Sequence, residues 1–239
     1  MLVGAGALGS QVALNLGRQG FGKWTILDED RLLPHNLPRH GLPSGYVGWE
    51  KAKAVAHAIN SVFDGDVESH AIEGMFSGNL AGAEDFDVLL DFSASESVLN
   101  DLSRVPFSKP CLSGFVNPTA ETGVILYEGQ ECKIRLDDLY QQFYAAISSN
   151  PRFKKYFVDS SRIIACAGAC RDHSFQIAGN LISLQAATMS TYIRSHLQDK
   201  NPNIHLWMWN SKTMSLKHEK INVYRPSLTA RWDSFYEFI

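Results

Sequence analysis

Short apolar runs alternate with amphipathic stretches through the first half of the chain, a rhythm typical of βαβ units. The runs that predict strands are Leu2 to Val3, Trp24 to Leu27, Val67 to Ile72, Val88 to Phe92 and Cys111 to Val116. Helical spacing of apolar residues lies between them, over Ser10 to Gln19, Lys51 to Phe63 and Ser95 to Ser103. The alternation predicts an α/β class fold, a doubly wound and mostly parallel sheet covered by helices.

After Gly123 the pattern changes, and it predicts an antiparallel extension at the C-terminal side of the sheet. VILYEG and ECKIR look like a hairpin, and IHLWMWN and MSLKHEKINVYR look like two further strands. Helices are predicted over Leu136 to Ser148 and Ser174 to Leu197, with a long crossing loop from Asn150 to Asp172.

Length and composition bound the class of protein. A chain of 239 residues, 45% of them hydrophobic, suits one large domain over residues 1–239. The net charge of -3 gives no field that would favour nucleic acid or an anionic membrane surface. Because there is neither a long apolar run nor a signal-peptide pattern, we expect a cytoplasmic protein.

The first predicted strand contains barely two residues before a glycine turn, whereas a central strand usually runs about five or six. We therefore expect residues to be missing upstream of it, as in a fragment, a mis-started gene product or part of a split assembly.

Gly4, Gly6 and Gly9 form the motif G-A-G-A-L-G between a predicted strand and a predicted helix. Such a turn lets the backbone approach phosphates and presents a helix N-terminus to their charge. Asp28 ends the next predicted strand, 19 residues after Gly9, where a carboxylate can accept hydrogen bonds from both ribose hydroxyls. Together these residues favour an adenine nucleotide over a purely structural glycine turn.

The segment after Asp28 indicates whether the predicted nucleotide is ATP or NAD. It places Asn36 and Arg39 in a loop beyond Asp28, and Lys51 at the start of the next predicted helix. An NAD-dependent oxidoreductase has no need of cations there. Taken singly, an Arg or a Lys is more often a solvated surface charge. Their order along the chain is what favours phosphate binding.

The order G-x-G-x-x-G, D-x-D, N-L-x-R, V-G-x-x-K-A resembles that of the ThiF-type and ubiquitin-activating adenylating domains. The resemblance implies a Rossmann-like domain that uses ATP with Mg2+ to adenylate the C-terminal carboxylate of a ubiquitin-like or sulfur-carrier protein. It implies that Asp28 holds the ribose, that Asn36, Arg39 and Lys51 surround the triphosphate, and that Asp30 is a supporting acid. It also implies a homodimer. The arginine that many family members supply from a helix upstream of the first strand, often across a dimer interface, has no counterpart in this sequence.

Two positions depart from the family pattern. Where the family writes D-x-x-x-D-x-T-D and holds magnesium with the last acid, this chain has Ala94. Either Asp91 or another acid then serves as the metal ligand, or the chain binds nucleotide but adenylates poorly. His40 replaces the glutamine that usually follows the arginine.

Cys170 is the candidate nucleophile for accepting the acyl group as a thioester, because a thiolate attacks a carboxyl adenylate at neutral pH. It lies just before the long predicted helix and beside Arg171 and His173, all of which favour a thiolate. The alternative is a structural residue at a helix start. A zinc site of Cys166, Cys170 and His173 is weaker, since the C-x-x-C pairs of zinc-bearing relatives are absent from the sequence.

The remaining cysteines are weaker candidates: Cys111 and Cys166 lie in apolar runs typical of core thiols, and Cys132 is intermediate. The second half of the chain also loosely resembles bacterial proteins in which this domain is fused to, or encoded beside, a ubiquitin-conjugating-like domain. That resemblance implies a ubiquitin-conjugating-like partner. The rival functions are a degenerate, non-catalytic binding module and an NAD-dependent oxidoreductase.

Overall fold

A computed structural model of the chain describes residues 1–62, 69–74, 76, 86–104, 109–153 and 177–224. Its centre is an eight-stranded sheet with the strand order β3-β2-β1-β4-β5-β6-β7-β8. The strands are β1 Leu2–Val3, β2 Trp24–Asp28, β3 Ser69–Glu73, β4 Leu89–Asp91, β5 Cys111–Val116, β6 Thr122–Tyr127, β7 Asn203–Asn210 and β8 Ser215–Ile221. The helices are α1 Ala7–Gly17, α2 Lys51–Asn60, α3 Glu96–Arg104, α4 Leu136–Ser149 and α5 Gly179–His196.

Strand β1 occupies the topological switch point of the sheet. It pairs in parallel with β2 on one side and with β4 on the other, so that Val3 has both Leu27 and Asp91 as neighbours. Loops that leave the carboxyl ends of β1, β2 and β4 therefore meet in one crevice. In open α/β sheets this crevice is where ligands bind.

Helices cover both faces of the sheet and bury a separate apolar cluster on each. One cluster contains residues of α1, α2 and α5, and the other contains residues of α3 and α4. Side chains alternate between the two clusters along β1, where Leu2 belongs to the first and Val3 to the second. This arrangement confirms the expected α/β doubly wound fold.

The antiparallel extension is also confirmed. Strands β5, β6, β7 and β8 are joined in antiparallel pairs, whereas β1 to β5 pair in parallel. The last predicted strands therefore complete the same sheet and do not form a separate unit.

The predicted hairpin between VILYEG and ECKIR is wrong. VILY belongs to β6, which pairs with β5 and β7, and the segment after it folds back without forming a strand. The buried carboxylate of Glu128 organises that segment, because it accepts hydrogen bonds from the backbone N–H groups of Cys111 and Leu136. Arg135 donates to the same carboxylate at 3.1 Å, so the buried Glu128 has a partly exposed arginine as its ion-pair partner.

Most of the predicted crossing loop from Asn150 to Asp172 lies outside the described residues. Within the described part of the chain, none of the helices has both the length and the apolarity required to span a bilayer.

Candidate nucleotide site

Two of the three motif glycines are required by the packing of the protein itself. Gly4 has a φ of +88°, and a Cβ there would lie 2.6 Å from the backbone N and Cα of Ser93. A Cβ on Gly9 would lie 2.0 Å from the carbonyl oxygen of Gly4. Real Cβ atoms do not approach other atoms so closely, so these glycines allow β1, α1 and the loop after β4 to pack together.

Gly6 differs from both. Its φ of -74° and ψ of -156° lie in the extended region open to L-residues, and a Cβ built there meets no atom of the described residues within 4 Å. It is the N-cap of α1 and provides no side-chain cap for that helix. The first N–H groups of α1 are thus left for an external acceptor, as in helix N-termini that bind phosphate.

Asp28 connects the glycine turn to the end of β2. Its Oδ2 accepts a hydrogen bond of 2.7 Å from the backbone N–H of Ala5, and its Oδ1 accepts one of 2.9 Å from that of Asp30. Burial raises the pKa of Asp28, while the Asp30 N–H and the Lys51 ammonium counteract that shift. Each carboxylate oxygen has a second lone pair, so both remain able to accept from ribose hydroxyls.

Lys51 begins α2 and points its ammonium group back toward the end of β2. Its Nζ donates to Asp30 Oδ2 at 2.7 Å, and its side chain is only 10% exposed. The backbone N–H of Lys51 also donates to the Asp30 carbonyl at 2.8 Å. Asp30 therefore fixes Lys51 by two contacts.

Asn36 and Arg39 lie in a tight turn beside α1. The Asn36 carbonyl accepts from the N–H of Arg39 at 3.0 Å, and its Oδ1 accepts from the N–H of Leu33 at 2.9 Å. The carbonyl of Arg39 accepts from Gln11 Nε2, a side chain of α1, at 2.7 Å. This contact holds the Arg39 turn against the helix whose N-terminus is Gly6.

His40, the residue after Arg39, is buried and reaches the glycine turn directly. Its Nε2 lies 2.9 Å from the carbonyl oxygen of Ala5, and its Nδ1 accepts from the N–H of Leu42 at 3.2 Å. The sequence showed His40 only as a departure from a family pattern. Its contact with Ala5 spans 35 positions and has no local signal that could have predicted it.

Asp91 ends β4 and is 2% exposed. Its Oδ1 accepts from the backbone N–H and the hydroxyl of Ser93, and its Oδ2 accepts from the hydroxyl of Ser113. Burial raises the pKa of this carboxyl group, and the Ser93 contacts oppose the shift. Ala94, at the position where the family holds its magnesium acid, is exposed and has a φ of +53°. The Oδ2 of Asp91 accepts one hydrogen bond and keeps a lone pair that can bind a metal, whereas Oδ1 accepts two and could bind a metal only by giving one up.

Two of the four cysteines lie within the described residues. Cys111 is fully buried in β5, where burial and the nearby Glu128 raise the pKa of its thiol, which confirms its expected place in the core. Cys132 is half-buried, and the same two causes raise the pKa of its thiol. Cys170, Cys166, Arg171 and His173 lie outside the described residues.

Comparison with known proteins identifies the family of the chain. The ThiF family model matches residues 1–222, so the chain belongs to the ThiF family.

The chain is 28% identical to the ATP-dependent ubiquitin transferase-like protein Cap2 of Enterobacter hormaechei subsp. hoffmannii (strain UCI 50), over 62% of this chain and 25% of Cap2. It is 32% identical to the adenylyltransferase and sulfurtransferase MOCS3 of Anopheles gambiae, over 55% of this chain and 31% of MOCS3. The match thus spans about a quarter to a third of the length of these relatives.

Solved structures share the fold at low sequence identity. The crystal structure of E. coli MccB with ATP superposes with a TM-score of 0.63 at 12% identity, and covers 96% of this chain and 64% of MccB. The crystal structure of PaaA superposes with a TM-score of 0.62 at 16% identity, and covers 92% of this chain and 72% of PaaA.

The different surroundings of Gly6 and Gly9 predict different effects of the same substitution. Gly6→Ala adds a methyl group where none of the described residues has an atom within 4 Å, so the free energy of unfolding should change by less than about 0.5 kcal/mol. The methyl group should nevertheless weaken ATP binding about tenfold or more, because it occupies the space that a phosphate needs. Denaturant unfolding and calorimetric titration with ATP measure the two effects.

Gly9→Ala is the matched control. Its methyl group would collide with the Gly4 carbonyl, so it should destabilise the protein by about 3 kcal/mol. If Gly6→Ala binds ATP as tightly as the parent protein, the phosphate does not approach Gly6.

Proposed function

We propose that this protein binds ATP and adenylates the C-terminal carboxylate of a ubiquitin-like or sulfur-carrier protein. The observation that carries the proposal is the Gly6 turn, an open helix N-terminus where neither the backbone conformation nor the packing of the described residues requires glycine. The ribose acid Asp28 and the ammonium group of Lys51 lie at the same end of the sheet.

The proposed reaction needs positive charge at two places. An oxygen of the substrate carboxylate attacks the α-phosphorus of ATP, the bond from that phosphorus to the bridging oxygen breaks, and pyrophosphate leaves with the electron pair. Arg39 and Lys51 are the side chains proposed to stabilise the negative charge on the α-phosphate and on the departing pyrophosphate. Asn36 is proposed to donate a hydrogen bond to the phosphates.

The relatives support this class of reaction. MOCS3 is named an adenylyltransferase and Cap2 an ATP-dependent ubiquitin transferase-like protein, and MccB crystallises with ATP. By analogy we propose a cytoplasmic homodimer that acts on a small carrier protein, with a ubiquitin-conjugating-like protein as a further partner. NAD-dependent oxidation is the less favoured alternative, because it gives no role to Lys51 beside Asp28.

Magnesium enters the proposal as the ion that accompanies the ATP phosphates, with Asp91 as the candidate ligand. The carboxylate chemistry suits Mg2+, but the present hydrogen bonds of Asp91 direct both oxygens to serine groups. Ala94 favours the second candidate function, a nucleotide- or partner-binding module that does not adenylate.

Removing either proposed phosphate-binding cation should slow the enzyme. Arg39→Ala and Lys51→Ala should each reduce the rate of ATP–pyrophosphate exchange about tenfold or more, since each removes a charge-assisted contact of roughly 1.5 kcal/mol. Folding should survive the loss of Lys51, because its partner Asp30 has a side chain that is 55% exposed and remains hydrated.

The matched controls are Lys53→Ala on the same helix and Arg31→Ala in the same loop, both exposed residues paired with Glu50. Exchange at the parent rate in both Arg39→Ala and Lys51→Ala would place the phosphates elsewhere. Calorimetry with NAD separates the oxidoreductase alternative, which requires tight NAD binding without a response to ATP and Mg2+.

Two opposite substitutions, one that removes an acid and one that adds an acid, test whether Asp91 is the magnesium ligand. Asp91→Asn should lower Mg2+-dependent exchange about tenfold or more, whereas Ala94→Asp should change it less than about threefold. Ser113→Ala is the control that removes one hydrogen bond of Asp91 but retains its carboxylate. A large gain from Ala94→Asp would instead show that the natural chain is limited by the missing acid, as the binding-module alternative requires.

Cys170 should be the most reactive thiol, because the thiols of Cys111 and Cys132 have raised pKa values. Limited alkylation at neutral pH with mass mapping should label Cys170 first. A thioester with the carrier protein, observed on a non-reducing gel after incubation with ATP, should disappear in Cys170→Ala but persist in Cys132→Ala. Persistence of the band in Cys170→Ala would contradict the assignment.

A further inference from the structure

The backbone of Ala5 is held from two sides by side chains that are distant in sequence. Ala5 is fully buried, its N–H donates to Asp28 Oδ2, and its carbonyl lies 2.9 Å from His40 Nε2. Asp28 is the proposed ribose acid, whereas His40 has no part in the proposed function. The contact between His40 and the phosphate-binding turn therefore needs an account of its own.

The second nitrogen of the imidazole defines its tautomer. The backbone N–H of Leu42 donates to His40 Nδ1, so Nδ1 carries a lone pair and the proton lies on Nε2. His40 is thus a neutral donor to the Ala5 carbonyl. Burial lowers the pKa of this imidazole, the hydrogen bond to Ala5 opposes the shift and the nearby Lys51 ammonium adds to it, and the net lowering supports the neutral form.

This hydrogen bond has a consequence for the next amide. The carbonyl of Ala5 and the N–H of Gly6 belong to one planar peptide, in which the two groups point in opposite directions. A carbonyl directed at His40 therefore directs the Gly6 N–H away from it. Among the described residues the structure contains no acceptor for that N–H, and a Cβ at Gly6 would meet open space.

We propose that His40 is a positioning residue for phosphate binding, which locks the Ala5–Gly6 peptide so that the Gly6 N–H is presented to a phosphate of ATP. Because His40 follows Arg39 directly, the same contact holds the Arg39 turn against the glycine turn. This inference rests on the proposed function, since it names the residue that orients one donor of that site.

The test compares His40→Leu with His40→Gln. Leucine fills the buried space but cannot donate a hydrogen bond to Ala5. It should weaken ATP binding about tenfold, because the proposed hydrogen bond from the Gly6 N–H to a charged phosphate is lost. Glutamine can donate its amide N–H to Ala5 and accept from Leu42, and should restore most of the affinity. His35→Leu, an exposed histidine of the same loop, is the matched control and should bind ATP as the parent does.

Comparing adenosine with ATP distinguishes a role of His40 in phosphate binding from a purely structural role. Adenosine lacks phosphates, so its affinity, measured by competition with a fluorescent ATP analogue, should change less than about twofold in His40→Leu. Equal losses for ATP and adenosine, or no loss for either, would overturn the proposal. Thermal unfolding of both variants shows whether an affinity change merely reflects loss of fold.

The position of the peptide can be observed without nucleotide. In protein labelled with 15N-glycine, the Gly6 amide resonance should shift in His40→Leu and return toward its parent position in His40→Gln. An unshifted resonance in His40→Leu would show that His40 does not set this peptide. If the parent chain bound no ATP while the resonance behaved as expected, the proposed function would fail and the positioning of Gly6 would stand.

Discussion

The burial of Ala5 is the constraint on which the crevice depends. A buried residue must have partners for its backbone N–H and its backbone carbonyl, because an unpaired group costs about as much as a lost hydrogen bond. Asp28 at the end of β2 satisfies the first and His40 in the following loop satisfies the second. The turn between β1 and α1 is consequently attached to both segments that carry the proposed ribose and phosphate ligands.

The three glycines of the turn serve two physical purposes. Gly4 and Gly9 let backbone segments approach one another at distances that a side chain would forbid. Gly6 is free of such neighbours and lies at the N-terminus of α1, where the helix dipole is positive. The fold requires glycine at positions 4 and 9, whereas the proposed phosphate contact is what would require it at position 6, and only the surroundings of each glycine distinguish the two cases.

The ammonium group of Lys51 has a counter-charge in the protein itself, the carboxylate of Asp30. Lys51 has little exposure and is paired with Asp30, whose own side chain is more than half exposed. This pairing compensates the desolvation of the ammonium group and directs it toward the end of β2. The loop after β4 contrasts with this, because Asp91 is engaged by Ser93 and Ser113, and Ala94 supplies no acid. The proposed phosphate-binding ammonium group of Lys51 thus has a partner that fixes it, whereas the proposed metal ligand Asp91 already accepts hydrogen bonds from serine groups.

The sequence by itself determined the order of the parallel strands and helices, the place of the glycine turn and the antiparallel end of the sheet. These features depend on local periodicity and on short motifs, which a linear pattern records. Tertiary structure decided the rest. The ECKIR segment forms no strand and is instead held by the buried carboxylate of Glu128, and His40 contacts the carbonyl of Ala5. It also decided the engagement of Asp91 by Ser113 from a neighbouring strand. Each depends on polar groups brought together in a low-dielectric interior by strands and loops far apart in sequence, and a buried group takes whichever partner the packing supplies.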